Sequence, residues 1–184
     1  KAIEQSCNIF FNQLGVDIGI DAIDAWARAF GFGEKTGIDL PNESSGIISG
    51  KEYKMQTFGE RWWPADTAQT AIGQLYNNFT PIQIASYTAT LASAGKKYTP
   101  HVILKIVDES GDIVYEGDKS YTDIGMSKET DATVRHAMEQ VAKEGTASRI
   151  FAKYPLRVAA KTGTAETGWE VDSSSNGLSI AYAP

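Results

Sequence analysis

The chain has little of what disulfide scaffolds and metal sites are built from: one cysteine, Cys7, and two histidines, His101 and His136, in 184 residues. A lone cysteine forms no intrachain disulfide and anchors no Cys/His cluster, so no metal or cofactor is expected. The histidines sit in unrelated segments without partner patterns, which leaves a Ser/His/Asp triad little support. Apolar runs fall far short of the roughly 18 residues a membrane span needs, and no charged, apolar, small-residue leader opens the sequence. With a formal net charge of -6 and no Lys/Arg stripe interleaved with aromatics, the electrostatic footprint of a nucleic-acid binder is missing too. There are no repeats and no biased tracts. The remaining 42% hydrophobic and 22% charged composition is that of an ordinary globular domain, soluble in itself, with enough chain to bury a core.

Helical patterns fill the first half. Ile9, Phe10 and Leu14 form one apolar set, and Ile20, Ile23, Ala27 and Phe30 recur at helical spacing, with Gly15 and Gly31 read as punctuation. Asp17, Asp21 and Asp24 read as a solvated helix face rather than a cation site. Gly31, Gly33 and Gly37 follow a helix rather than a strand, so they suit a C-cap and turn better than a phosphate loop. Thr80-Pro81-Ile82-Gln83 supplies an N-cap hydroxyl, a proline at the first helical position and a capping-box glutamine, predicting a helix to Ala94 that stops at Gly95. Trp62 and Trp63 read as core packing rather than a groove wall.

The second half turns to strands. His101 to Val107 and Ile113 to Tyr115 flank Asp108-Glu109-Ser110-Gly111-Asp112, predicting a hairpin whose acidic cluster is turn chemistry. Ser127 caps a further helix, with Val134, Met138 and Val141 inward and Gly145 at its end. Arg157 to Thr164 and Leu178 to Tyr182 read as strands around a polar loop through Asn176. Without βαβ alternation the expected class is α+β, an antiparallel sheet packed with helices, mainly helical over 1–95 and strands plus one helix over 96–184.

The residues that carry chemistry lie at the two ends. Leu156-Arg157-Val158-Ala159-Ala160 runs into Lys161-Thr162-Gly163-Thr164, a buried strand ending in a cation, two hydroxyls and a glycine, which suits an anionic substrate held against a reacting serine. A KTG tripeptide arises by chance in roughly one chain in twenty-five of this length, so its context decides. Ser6-Cys7-Asn8 places a hydroxyl and a carboxamide at a helix entrance, where Ser6 is as well suited to plain capping. Such an SxN arises in about half of chains this long, and Ser174-Ser175-Asn176 is a second match, read as linker.

Together with Phe30-Gly31-Phe32-Gly33, Thr36-Gly37-Ile38-Asp39-Leu40-Pro41, Ile72-Gly73-Gln74 and Thr80-Pro81-Ile82-Gln83, in that order, these motifs resemble the transpeptidase domain of penicillin-binding proteins, of the class B, monofunctional kind, over 1–184. The superfamily's motif set is SxxK, SxN and KTG, the first serine being the nucleophile. Ser93-Ala94-Gly95-Lys96 fits SxxK only in letters. Nucleophile and lysine must share one helical turn near an N-terminus, and Gly95 breaks the helix between them. The nucleophile and its lysine are therefore expected upstream of Lys1, with a further strand and helix after Pro184, making this a partial domain that is inactive alone.

The resemblance implies a penicillin-binding, β-lactamase-like transpeptidase fold and a parent enzyme that cross-links peptidoglycan through an acyl-enzyme. It implies that Ser6 relays protons, that Asn8 holds the substrate's amide carbonyl and that Lys161 supplies positive potential. It further implies that Thr162 and Thr164 hydroxyls bind the carboxylate of a D-alanyl-D-alanine stem peptide or a β-lactam, that the Thr164 N–H forms half an oxyanion hole and that Gly163 admits the substrate to the strand edge. The parent is expected to be membrane-tethered, outside the cytoplasmic membrane and associated with cell-wall synthesis proteins. A non-catalytic β-lactam sensor or scaffold of the same fold is the alternative. The 155 positions between Ser6 and Lys161 exceed what compact relatives generally allow and speak against a sensor or a β-lactamase.

Overall fold

The computed structural model describes residues 1–166 and 175–183. Helices α1 (Asn8–Ile18), α2 (Ile20–Ala29), α3 (Lys51–Phe58), α4 (Pro64–Ala71) and α5 (Pro81–Ala92) come first. Strands β1 (Lys96–Tyr98), β2 (Lys105–Val107), β3 (Ile113–Glu116) and β4 (Tyr121–Asp123) follow, then α6 (Lys128–Lys143), α7 (Ser148–Phe151), β5 (Ala159–Glu166) and β6 (Ser175–Tyr182). All pairing is antiparallel, β1 with β4, β2 with β3 and β5 with β6. The fold class is the expected α+β, but among the described residues the strands form three separate two-stranded ladders rather than one sheet. No helix among them is long and apolar enough to cross a membrane.

Local chemistry accounts for the helix starts. Thr80 accepts from the Gln83 N–H while the Gln83 side chain accepts from the Thr80 N–H at 2.9 Å, the reciprocal capping box anticipated there. Ser127 likewise accepts from the Thr130 N–H at 3.0 Å to open α6. In the β2–β3 hairpin, Asp108 Oδ1 accepts from the N–H groups of Ser110 and Asp112, so its carboxylate builds the turn.

Three expectations need correction. Gly15 does not punctuate: it lies inside α1, buried, where a Cβ would stand 2.3 Å from that of Ala71 and hold α1 off α4. The break comes at Gly19, with φ 87°. Trp63 is 47% exposed beneath the Arg61 guanidinium, 3.6 Å from its ring centroid, and only Trp62 is partly sheltered, its indole N–H donating to Thr67 Oγ1. The strand ahead of Tyr182 begins at Ser175, so Ser175 and Asn176 pair with Glu166 and Ala165 rather than ending a loop, while Ser174 lies outside the described residues.

The core that positions the site lies between α6, α5 and β5. Ala160 packs with Val141, Ala142 and Ala147, and its neighbour Ala159 packs with Met138 and Leu91. Alanine at both strand positions lets α6 approach the backbone closely. Ile3, in the turn ahead of α1, touches both clusters and ties the N-terminal segment to the start of β5.

Gln83 does more than cap. It is 2% exposed, and its Nε2 donates to the carbonyls of Glu34 and Ser45, each at 2.8 Å, so one buried amide joins α5 to two loop segments. Gln83→Leu would orphan both carbonyls and is expected to cost about 2–3 kcal/mol, read as a fall in the urea midpoint at unchanged slope. A midpoint within error of the parent value would show that the loops do not depend on this amide.

Candidate active site

Residues 1–6 form a turn closed by the Gln5 and Ser6 N–H groups donating to the carbonyls of Lys1 and Ile3. Ser6 adopts φ 51°, the left-handed region that costs a residue with a Cβ roughly 1 kcal/mol or more. The following Cys7 is the N-cap residue of α1 and makes no side-chain cap bond. Ser6 is therefore not a helix cap: its hydroxyl accepts from Lys161 Nζ at 2.8 Å, across 155 residues. The same Nζ donates to the Thr162 carbonyl at 2.5 Å.

Lys161 is half-buried on β5, and burial pushes its pKa below the ordinary lysine value. Among the described residues no carboxylate pairs with it. A partly desolvated cation that contacts a hydroxyl and a carbonyl but no anion is set up to receive one.

The structure thus brings Ser6, Lys161 and Thr162 together. Asn8 opens α1, exposed, and among the described residues its carboxamide has no hydrogen-bond partner. Thr164 is exposed further along β5, and its carbonyl accepts from Gln74 Nε2 at 3.3 Å. Neither packing nor conformation calls for glycine at 163: a Cβ there would meet only Leu178 atoms at 3.9 Å, and φ lies outside the positive region. β5 pairs with β6 along its length, and among the described residues its other edge carries no strand. Ser93 and Lys96 do not form a nucleophile pair, since Ser93 is the C-cap of α5 and Lys96 begins β1 after left-handed Ala94 and Gly95.

Three further residues touch this region without any signal in the sequence pattern. Gln74 lies in Ile72-Gly73-Gln74, which by itself assigns it no role. Thr146, just past α6, shares a 2.7 Å hydrogen bond with the Thr162 hydroxyl. Gly145 was read as a helix stop, yet its φ is not positive, and what demands glycine is contact: a Cβ would stand 2.3 Å from the Glu4 carbonyl oxygen. A glycine after a helix looks the same in sequence under either cause.

An α+β frame that presents a serine-bonded lysine on an open strand edge, followed by Thr-Gly-Thr, fits the SxN and KTG motifs of the superfamily that includes penicillin-binding proteins. The family model for the penicillin-binding protein transpeptidase domain matches residues 1–184, and the chain belongs to that family. It is 37% identical over 167 residues to the peptidoglycan D,D-transpeptidase MrdA of Acinetobacter baumannii, covering 90% of this chain and 25% of that protein. Among solved structures it resembles the penicillin-binding protein PBP2 of Helicobacter pylori in complex with MreC, with TM-score 0.82 and 32% identity over all of this chain and 33% of that one. It is similar also to Pseudomonas aeruginosa PBP2 in complex with WCK 5153, with TM-score 0.81, 31% identity and 40% of that chain covered. The chain therefore spans a quarter to two fifths of these relatives.

Proposed function

We propose that this chain supplies the proton-relay and carboxylate-binding side of a serine D,D-transpeptidase, and that the attacking serine and its lysine belong to a part of the whole protein outside it. The observation that carries the reading is the Lys161 Nζ to Ser6 Oγ hydrogen bond at 2.8 Å. Because Ser6 accepts from Lys161, its own O–H points elsewhere. It passes that proton to the departing amine nitrogen as the acyl–nitrogen bond breaks, and Lys161 reprotonates the serine oxygen. The Asn8 carboxamide holds the substrate amide. Thr162 and Thr164 hydroxyls bind the terminal carboxylate of a D-alanyl-D-alanine peptide or of a β-lactam beside the Lys161 charge, and the Thr164 N–H stabilises the oxyanion. An extended peptide lies along the open edge of β5, and Gly163 leaves it room.

The length of the relatives supports a whole protein that carries further segments, and the family resemblance alone gives it a membrane tether outside the cytoplasmic membrane. The Helicobacter relative's complex with MreC supports a cell-wall synthesis partner for it. Intact mass after benzylpenicillin tests the reading, with this chain compared against the whole protein. The expected result is one penicilloyl adduct on the whole protein and none on this chain. An adduct on this chain would move the nucleophile to Ser93 or Ser6, and no adduct on either would favour a non-catalytic scaffold.

A further inference from the structure

Thr146 belongs to neither the SxN nor the KTGT motif, yet it is fixed against KTGT and against the turn that leads into SxN. The Gly145 N–H donates to the Gln140 carbonyl, the Thr146 N–H to the Glu4 carbonyl at 3.3 Å and the Ala147 N–H to the Val141 carbonyl. Ala147 is 3% exposed in the cluster that holds Ala160. The turn after α6 is thus pinned to the helix behind it and to the Ser6 turn beside it. It delivers the Thr146 hydroxyl 2.7 Å from that of Thr162, the normal separation of a strong O–H···O bond.

We propose that Thr146 is a positioning residue for the substrate carboxylate, its hydroxyl donating to Thr162 so that the Thr162 proton is free to bond the anion. The proposal rests on the transpeptidase reading above. Each hydroxyl has one proton. If Thr162 donated to Thr146, its donation would be spent inside the protein. An anion beyond Thr162 draws that proton outward, Thr146 then donates to Thr162, and the chain Thr146 O–H to Thr162 O–H to carboxylate is polarised along its length. The β-branched side chain restricts χ1 and so keeps the donor aimed before substrate arrives.

The test compares second-order acylation rates of the whole protein with benzylpenicillin and with its methyl ester, which lacks the anion. Thr146→Val fills the hydroxyl's place with a methyl group and excludes a substituting water. It is expected to slow the acid about tenfold and the ester less than about twofold. Thr146→Ala, which lets water in, should show the same split at smaller size, and Thr146→Ser should keep the acid rate within about threefold. A Thr146→Val rate unchanged with the acid, or lowered equally with acid and ester, overturns the proposal, the second outcome marking a purely structural threonine. If the unaltered protein takes up neither compound, the transpeptidase reading itself fails and this proposal with it.

Discussion

Replacing Lys161 with methionine is expected to slow acylation of the whole protein by benzylpenicillin by about 10²–10³-fold, the scale of losing one preorganised charge-stabilising donor. Methionine keeps much of the side-chain volume, so the fold around Ala159 and Ala160 should stand. Two effects are lost together: the positive potential beside the carboxylate, and the donor that reprotonates Ser6 through the 2.8 Å contact. Burial holds the Lys161 ammonium below the ordinary lysine value of about 10.4, which sets the pH dependence. The folded chain gives up this proton at lower pH than the unfolded chain. Between the two values the unfolded chain binds more protons, so Lys161 makes stability rise with pH across that interval. Function runs the other way. Acylation falls as pH rises through the lowered value, giving a basic limb at lower pH than a solvent-exposed lysine would show. Lys161→Arg stays charged and should lose that limb, although at a reduced rate, because a planar guanidinium cannot reproduce the Nζ contacts to Ser6 and the Thr162 carbonyl. A Lys161→Met rate within threefold of the parent, or a basic limb that survives in Lys161→Arg, would contradict this role.

Gly145→Ala is expected to be nearly as damaging while lying outside every motif. The added Cβ would stand 2.3 Å from the Glu4 carbonyl oxygen and 2.8 Å from Val141 Cα, both backbone atoms that no side-chain rotation can clear. Either α6 or the turn ending at Ser6 must move. The turn is the softer partner, since α6 is locked through Val141, which is fully buried. Displacing Ser6 by about 1 Å is enough to lower acylation about 10²-fold, and overpacking adds about 1–3 kcal/mol of destabilisation. The check is acylation rate and urea midpoint measured together on the whole protein. Acylation within twofold of the parent would show that the turn absorbs the methyl group without disturbing Ser6.

Elements that announce themselves locally were legible in the sequence. The Thr80–Gln83 capping box and the Ser127 cap each need only four residues, and the Asp108 turn needs five. Helices α3 and α4 were not anticipated. Lys51–Phe58 places Tyr53, Met55 and Phe58 without a single apolar face, and Pro64–Ala71 offers only alanines. Their contacts are long-range, with a buried ion pair from Lys54 Nζ to Asp66 Oδ2 at 2.8 Å between the helices and α4 packed on α1 where Gly15 meets Ala71, and no periodicity reveals them. Strands β1 and β4 are three residues each and pair across the intervening hairpin, too short and too distant for an alternation signal.

The site divides along the same line. Ser6, Lys161 and the KTGT strand could be named because the family spaces them recognisably, and the structure adds the direct Ser6 to Lys161 contact that spacing alone leaves open. Gln74 reaches Thr164 through its carboxamide, Thr146 reaches Thr162 through its hydroxyl and Gly145 lies against the Glu4 backbone, each a long-range approach. Each looks ordinary in its own segment.

On this reading the Lys161–Thr164 edge of β5 receives the substrate carboxylate within reach of the Ser6 to Lys161 pair. A crystal structure of the whole protein acylated by benzylpenicillin would locate both groups. The penicilloyl carboxylate is expected within about 3 Å of the Thr162 and Thr164 hydroxyls, with its opened-ring nitrogen facing Ser6 Oγ. A carboxylate bound away from β5, or a ring nitrogen approached by a group other than Ser6, would contradict the reading.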